Sequence, residues 1–65
     1  MKIMINQETF ELPAGATLEQ ALTVYDAKPP FAVAVNMIFI HKYQYADTRL
    51  EPDDRIEVVQ PVAGG

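Results

Sequence analysis

The chain opens with strict alternation: Ile3 and Ile5 interleave with Lys2 and Met4, the period of a strand with one buried face. Asn6-Gln7-Glu8 interrupts this with polar residues, and asparagine tolerates the left-handed backbone of a tight turn. Alternation resumes over Thr9-Phe10-Glu11-Leu12, so a hairpin is expected whose inner face carries Ile3, Ile5, Phe10 and Leu12. Pro13-Ala14-Gly15 then stops the second strand by removing a donor and freeing the backbone. At Thr17 the period changes. Leu18, Ala21, Leu22 and Tyr25 fall at i, i+3, i+4 and i+7, a single apolar stripe on a helix. Thr17-Leu18-Glu19-Gln20 reads as a capping box, in which threonine and glutamine side chains satisfy each other's free backbone donors. Pro29-Pro30 requires this helix to end by Lys28, because each proline disfavours helical geometry before it.

Period two then returns. Val33 and Val35 form one face and Ala32 and Ala34 the other, Asn36-Met37 suits a tight turn, and Ile38 and Ile40 continue the inward set in a fourth strand. Glycine at position 37 would have been the stronger turn signal. Residues 43–50 are mixed and polar; they predict a turn of helix and a connection, with Tyr43 and Tyr45 covering the end of the core. Glu51-Pro52-Asp53-Asp54 makes a turn before a last strand, Arg55-Ile56-Glu57-Val58-Val59, with Ile56 and Val58 inward. Two hairpins, one helix and a final strand make a two-layer α+β domain. A crossover through the helix lets the last strand lie parallel to the first, between the hairpins. That is the ubiquitin-like β-grasp: a mixed sheet of four to five strands on one main helix.

Composition narrows what such a domain can do. At 65 residues, 49% hydrophobic and 22% charged, the chain is globular and makes one domain, needing almost every large apolar residue for one core. It lacks cysteine, which removes disulfides and thiolate metal sites. The net charge of −4 argues against nucleic acid, which needs clustered bases. A solvated acidic surface is the plain reading, and a partner with a basic docking face the sharper one. The opening run is too short for a signal peptide, and no stretch reaches the roughly 18 apolar residues of a membrane span. A soluble, cytoplasmic protein is expected.

Side chains offer little chemistry. His41 has no nucleophile or base beside it that would form a recognisable triad, so it reads as a surface residue. Asp53-Asp54 reads as turn chemistry and not as a metal site. Neither a catalytic residue nor a metal ligand is assigned. The end of the sequence is different. Val62-Ala63-Gly64-Gly65 carries no bulky group at its tip, spans about 13–14 Å when extended, and offers a backbone that can enter a narrow site. Glycines at a chain end often serve no function. Here they follow a central strand with no linker, which presents the Gly65 carboxylate from a rigid body. The expectation is a β-grasp domain over residues 1–61 and a flexible diglycine tail over 62–65. On the sheet face away from the helix, Met4, Ala32, Ala34, Phe39, Val59 and Pro61 make an apolar surface of the kind that marks docking. Met4, Phe39, Val59, Pro61 and Val62 are the candidate partner-binding residues.

Taken together, Met1-Lys2-Ile3-Met4-Ile5-Asn6, Ala14-Gly15-Ala16-Thr17-Leu18, Val33-Ala34-Val35-Asn36, Tyr45-Ala46-Asp47-Thr48 and the closing Asp53–Gly65 stretch resemble the ThiS family, sulfur carriers of thiamine biosynthesis. The resemblance implies a non-enzymatic carrier with no bound cofactor. It implies a ThiF-type enzyme that uses ATP to adenylate Gly65, a sulfur-transfer protein that supplies sulfur for a thiocarboxylate, and a ThiG-type thiazole synthase that accepts it. Gly64 and Ala63 would give access to the reacting carboxylate. Met37, where relatives often have glycine, and Ile40-His41-Lys42 depart from the pattern. Two alternatives stand beside this reading: the small subunit of molybdopterin synthase, which also ends in Gly-Gly, and a ubiquitin-like modifier or interaction module.

Overall fold

The computed structural model describes residues 1–60. Strands β1 (Lys2–Ile5) and β2 (Glu8–Glu11) form the first hairpin, followed by helix α1 (Leu18–Tyr25). A second hairpin, β3 (Ala32–Val35) and β4 (Ile38–Ile40), a 3-10 turn (Lys42–Gln44) and strand β5 (Arg55–Val59) complete the order. The sheet runs β2-β1-β5-β3-β4. β5 is parallel to β1 and antiparallel to β3. This is the β-grasp, with its last strand in the centre.

Both hairpins close on two residues in the left-handed region, Asn6 and Gln7 (φ 48° and 71°) and Asn36 and Met37 (φ 49° and 71°). That is the backbone of the mirror-image turn whose twist matches paired strands. Helix α1 begins as the sequence predicts. Thr17 N–H donates to Gln20 Oε1 at 2.8 Å, and Gln20 N–H donates to Thr17 Oγ1 at 3.3 Å. The helix stops at Tyr25, three residues before the limit set by the prolines. Asp26 takes a left-handed conformation (φ 64°), and Ala27 N–H reaches back to Leu22 C=O at 3.1 Å, the bond that closes a Schellman end. Gly15 (φ 85°) fills a position in the preceding loop that other residues rarely adopt.

One core lies between helix and sheet. Ile3, Ile5, Leu18, Val33 and Ile56 are fully buried, with Leu12, Ala21, Leu22 and Val58 beside them. Phe10 and Tyr25 pack at the margin, edge to face with ring centres 5.9 Å apart. Tyr45 covers the opposite end, its ring parallel to that of Phe31 at 6.1 Å. Among the described residues no polar side chain is buried, so apolar packing carries the fold.

Three expectations need correction. Ile38 points to the helix face of the sheet, opposite Val35, yet it is 66% exposed. An eight-residue helix is about 12 Å long, whereas five strands at about 4.8 Å spacing span about 19 Å. The corner where β4 leaves its turn lies outside that cover. Tyr43 stands 80% exposed because the 3-10 turn carries it outward, leaving Tyr45 alone to close the core. Strand β2 also begins one residue early, at Glu8, since the turn needs only Asn6 and Gln7. Two core residues carried no sequence signal, Ala16 and Leu50, both buried. They meet where the loop before β5 pairs with the helix entry: Leu50 N–H donates to Ala16 C=O at 2.9 Å and Leu18 N–H to Thr48 C=O at 2.8 Å.

Candidate functional site

β5 leads to the C-terminal end of the chain, so the site is built from whatever fixes that strand. Its register on β3 pairs Ile56 with Val35, Val58 with Val33 and Val59 with Ala32. On the other side, pairing with β1 stops at Ile5 opposite Ile56, because β1 turns away at Asn6. The side chain of Asn6 takes over. Its Oδ1 accepts from Val58 N–H at 2.9 Å, and its Nδ2 donates to Val58 C=O and to the Tyr25 hydroxyl, each at 3.0 Å. The carboxamide does the work of one more strand residue. Beyond it, Gln60 Nε2 donates to Lys28 C=O at 2.7 Å, tying the end of β5 to the segment after the helix. The early end of β1 also opens a shallow groove along β5, lined by Met4, Gln7, Arg55, Glu57, Val59 and Gln60. Pro61, Val62, Ala63, Gly64 and Gly65 lie outside the described residues.

Asn36 repeats the device at the opposite end of β5. Its N–H donates to Arg55 C=O at 2.7 Å, and its Oδ1 accepts from Arg55 N–H at 3.0 Å. Its Nδ2 donates to Asp54 Oδ1 at 2.9 Å, while Asp54 Oδ2 accepts from Glu51 N–H at 2.8 Å. The carboxylate of Asp54 therefore belongs to the turn, and Asp53 has left-handed backbone there (φ 70°). Both asparagines were visible in the sequence only as turn residues. Nothing in a residue's neighbours along the chain shows that its side chain will replace a strand partner.

The sheet face away from the helix carries the candidate docking residues. Phe39 is paired with Ala34, which is paired with Glu57. Phe39 is 58% and Val59 62% exposed, and Ala32 beside Val59 is exposed as well. Met4 is half-buried and sits opposite Arg55, so charged residues separate it from the Phe39 side of the face. An aromatic strip continues from β4: His41 meets Phe39 edge to face at 4.9 Å and lies parallel to Tyr43 at 5.4 Å. His41 is exposed, with its neighbours aromatic and not catalytic. Burial pushes the Tyr45 phenol above its ordinary value of 10.0. Among the described residues no group of acidic and histidine side chains is placed to hold a metal ion, and no helix is long and apolar enough to cross a membrane.

The fold has known counterparts. The model of the ThiS family matches residues 3–65. The crystal structure of a thiamine biosynthesis protein (ThiS) from Geobacter metallireducens superposes with a TM-score of 0.81 at 14% identity, covering 100% of both chains. The solution structure of a thiamine biosynthesis protein from the same organism gives 0.81 at 16% identity, covering 100% of this chain and 88% of the other. At such identity these likenesses show the shared fold. No curated protein matches the sequence.

Proposed function

The chain belongs to the ThiS family, and from that premise we propose that it is a sulfur carrier for the thiazole of thiamine. One observation carries the reading: the family match runs through residue 65 and so includes the diglycine end, in a domain whose side chains supply no reacting group of their own. In this reading the Gly65 carboxylate attacks the α-phosphorus of ATP on a ThiF-type enzyme, releasing pyrophosphate and forming an acyl-adenylate. Sulfide-level sulfur handed over by a transfer protein then attacks the acyl carbon and displaces AMP to give a thiocarboxylate, the acyl substitution that an unactivated carboxylate cannot undergo. A ThiG-type synthase takes the sulfur. Gly64 and Ala63 leave the carbonyl open to both partners. The carrier itself performs no catalysis.

The remainder of the domain has two tasks in this scheme. It presents the tail from a central strand, and it offers Phe39, Val59 and Met4, with Pro61 and Val62, as a docking face. Mass spectrometry of protein from its native host tests the cargo. A species about 16 Da heavier than the carboxylate form, sulfur in place of oxygen, is expected from displacement at the activated carbonyl. Deleting Gly65 removes that species and abolishes growth without thiamine, while the thermal melt is unchanged. Thiamine-independent growth of a strain dependent on the truncated carrier would refute the reading.

A further inference from the structure

We propose that Asn6 is a positioning residue for the carrier reaction: its carboxamide holds the end of β5 at Val58 in place and so fixes where the reacting terminus leaves the domain. This deepens the carrier reading and rests on it. β1 supplies backbone partners to β5 only as far as Ile56, leaving the β1 side of Val58 without a strand. Asn6 fills that place with three bonds: one accepted from Val58 N–H, one donated to Val58 C=O and one donated to the Tyr25 hydroxyl. Both Nδ2 protons and the Oδ1 acceptor are thereby used. The orientation of the amide is not arbitrary, since Val58 presents one donor and one acceptor and only one arrangement satisfies both. Through Tyr25 the same group ties in the end of the helix, so three elements meet two residues before Gln60.

A carboxylate that must reach a nucleotide on another protein needs a fixed point of departure. Misplacement of about 1 Å can cost about 100-fold in rate even when the change is remote from the chemistry. Asn36 provides a matched control. It occupies the same position of the same kind of turn (φ 49° against 48°) and also clamps β5, but at Arg55, the end away from the tail. Replacing each by glycine removes the carboxamide and leaves the left-handed backbone unstrained.

The experiment measures ATP–pyrophosphate exchange by the ThiF-type enzyme against carrier concentration, for the full-length parent, Asn6→Gly and Asn36→Gly. Asn6→Gly is expected to lower kcat about 10- to 100-fold with KM for the carrier little changed, because the docking face is intact. Asn36→Gly is expected to keep the parent kcat. Amide exchange at Val58 and Val59 should quicken in Asn6→Gly alone. If Asn6→Gly does not fold, Asn6→Asp keeps the acceptor for Val58 N–H and loses both donated bonds, and a fall in kcat is again expected. An active parent with equal kcat in its Asn6 variant, or an equal fall in both glycine variants, would overturn the positioning role. A parent that supports no exchange would instead overturn the carrier reading.

Discussion

Val59→Glu tests whether the outer sheet face docks the activating enzyme, and the structure sets the size of the effect. Val59 is 62% exposed, pairs with the small Ala32, and neighbours Val58, which points the other way into the core. Full burial of a valine is worth about 1.5–3 kcal/mol, so covering the exposed share contributes about 1–2 kcal/mol of binding. A glutamate there loses that gain and brings a carboxylate against an apolar surface, costing about 1–3 kcal/mol more where it finds no partner. The sum of about 2–5 kcal/mol weakens Kd at least about 30-fold. Folding should suffer little: a solvent-facing strand substitution spans about 1 kcal/mol, or a Tm fall of at most about 4–8 °C.

Isothermal titration against the ThiF-type enzyme reads the affinity, and a melt in parallel reads the fold. Val24→Glu is the comparison, since Val24 is 54% exposed but lies on α1, on the other side of the sheet. It should leave Kd unchanged. Unaltered affinity in the Val59 variant, with its fold intact, removes the outer face from the docking argument. Equal weakening by both substitutions points to general charge repulsion and refutes it as well.

Other substitutions probe the fold that carries the site. Met37, 89% exposed with φ 71°, sits in backbone that costs a non-glycine residue about 1–2 kcal/mol; allowing for the greater freedom of glycine when unfolded, Met37→Gly should stabilise by about 0.5–1 kcal/mol, seen as a higher Tm. Leu50→Ala removes a buried anchor at about 2–5 kcal/mol, much of the roughly 3–10 kcal/mol available to a domain of this size, and urea titration should show a markedly lower midpoint or partial unfolding in water. Burial raises the Tyr45 phenol, so the folded state holds that proton more tightly than the unfolded one. Its contribution is intact below the unfolded value near pH 10 and is lost as pH climbs through the higher folded value. Tyr45→Phe should flatten that part of the stability–pH curve, and identical slopes for the two proteins above pH 10 would refute the assignment.

What the sequence disclosed follows from how each feature is encoded. Ile3/Ile5, Val33/Val35 and Ile56/Val58 share one period, and the helix stripe at Leu18, Ala21 and Leu22 another, so both layers and the inner face were legible from spacing alone. The capping box was legible because both its partners lie within four residues. The helix end was not, since Asp26 does a task more often given to glycine. Leu50 is a lone apolar residue among polar ones, and its burial depends on a pairing with Ala16 and Thr17 that only the closed loop creates. Ile38 has the right parity and the wrong place: alternation reports which face a side chain takes, not whether anything covers it. The site divides in the same way. The diglycine end stands in the sequence itself, while the Asn6 clamp on Val58 required knowing that β1 stops short of the end of β5.

That shortfall has a physical logic. Had β1 continued past Ile5, backbone bonds would have held Val58 and the first hairpin would have extended along the strand that leads to the tail. Turning β1 away at Asn6 instead leaves an open groove beside Glu57 and Val59. The cost is a strand end paired on the β3 side alone, and a strand end held on one side frays more readily. One carboxamide resolves the conflict, because its oxygen and its NH2 are separate atoms that meet the Val58 N–H and C=O at the same time. Glutamine at position 6 would carry the same amide on a longer stem and reach past Val58, so it should not replace asparagine. Asn6 lets the same few residues of β5 stay open along one edge and yet be held in place there.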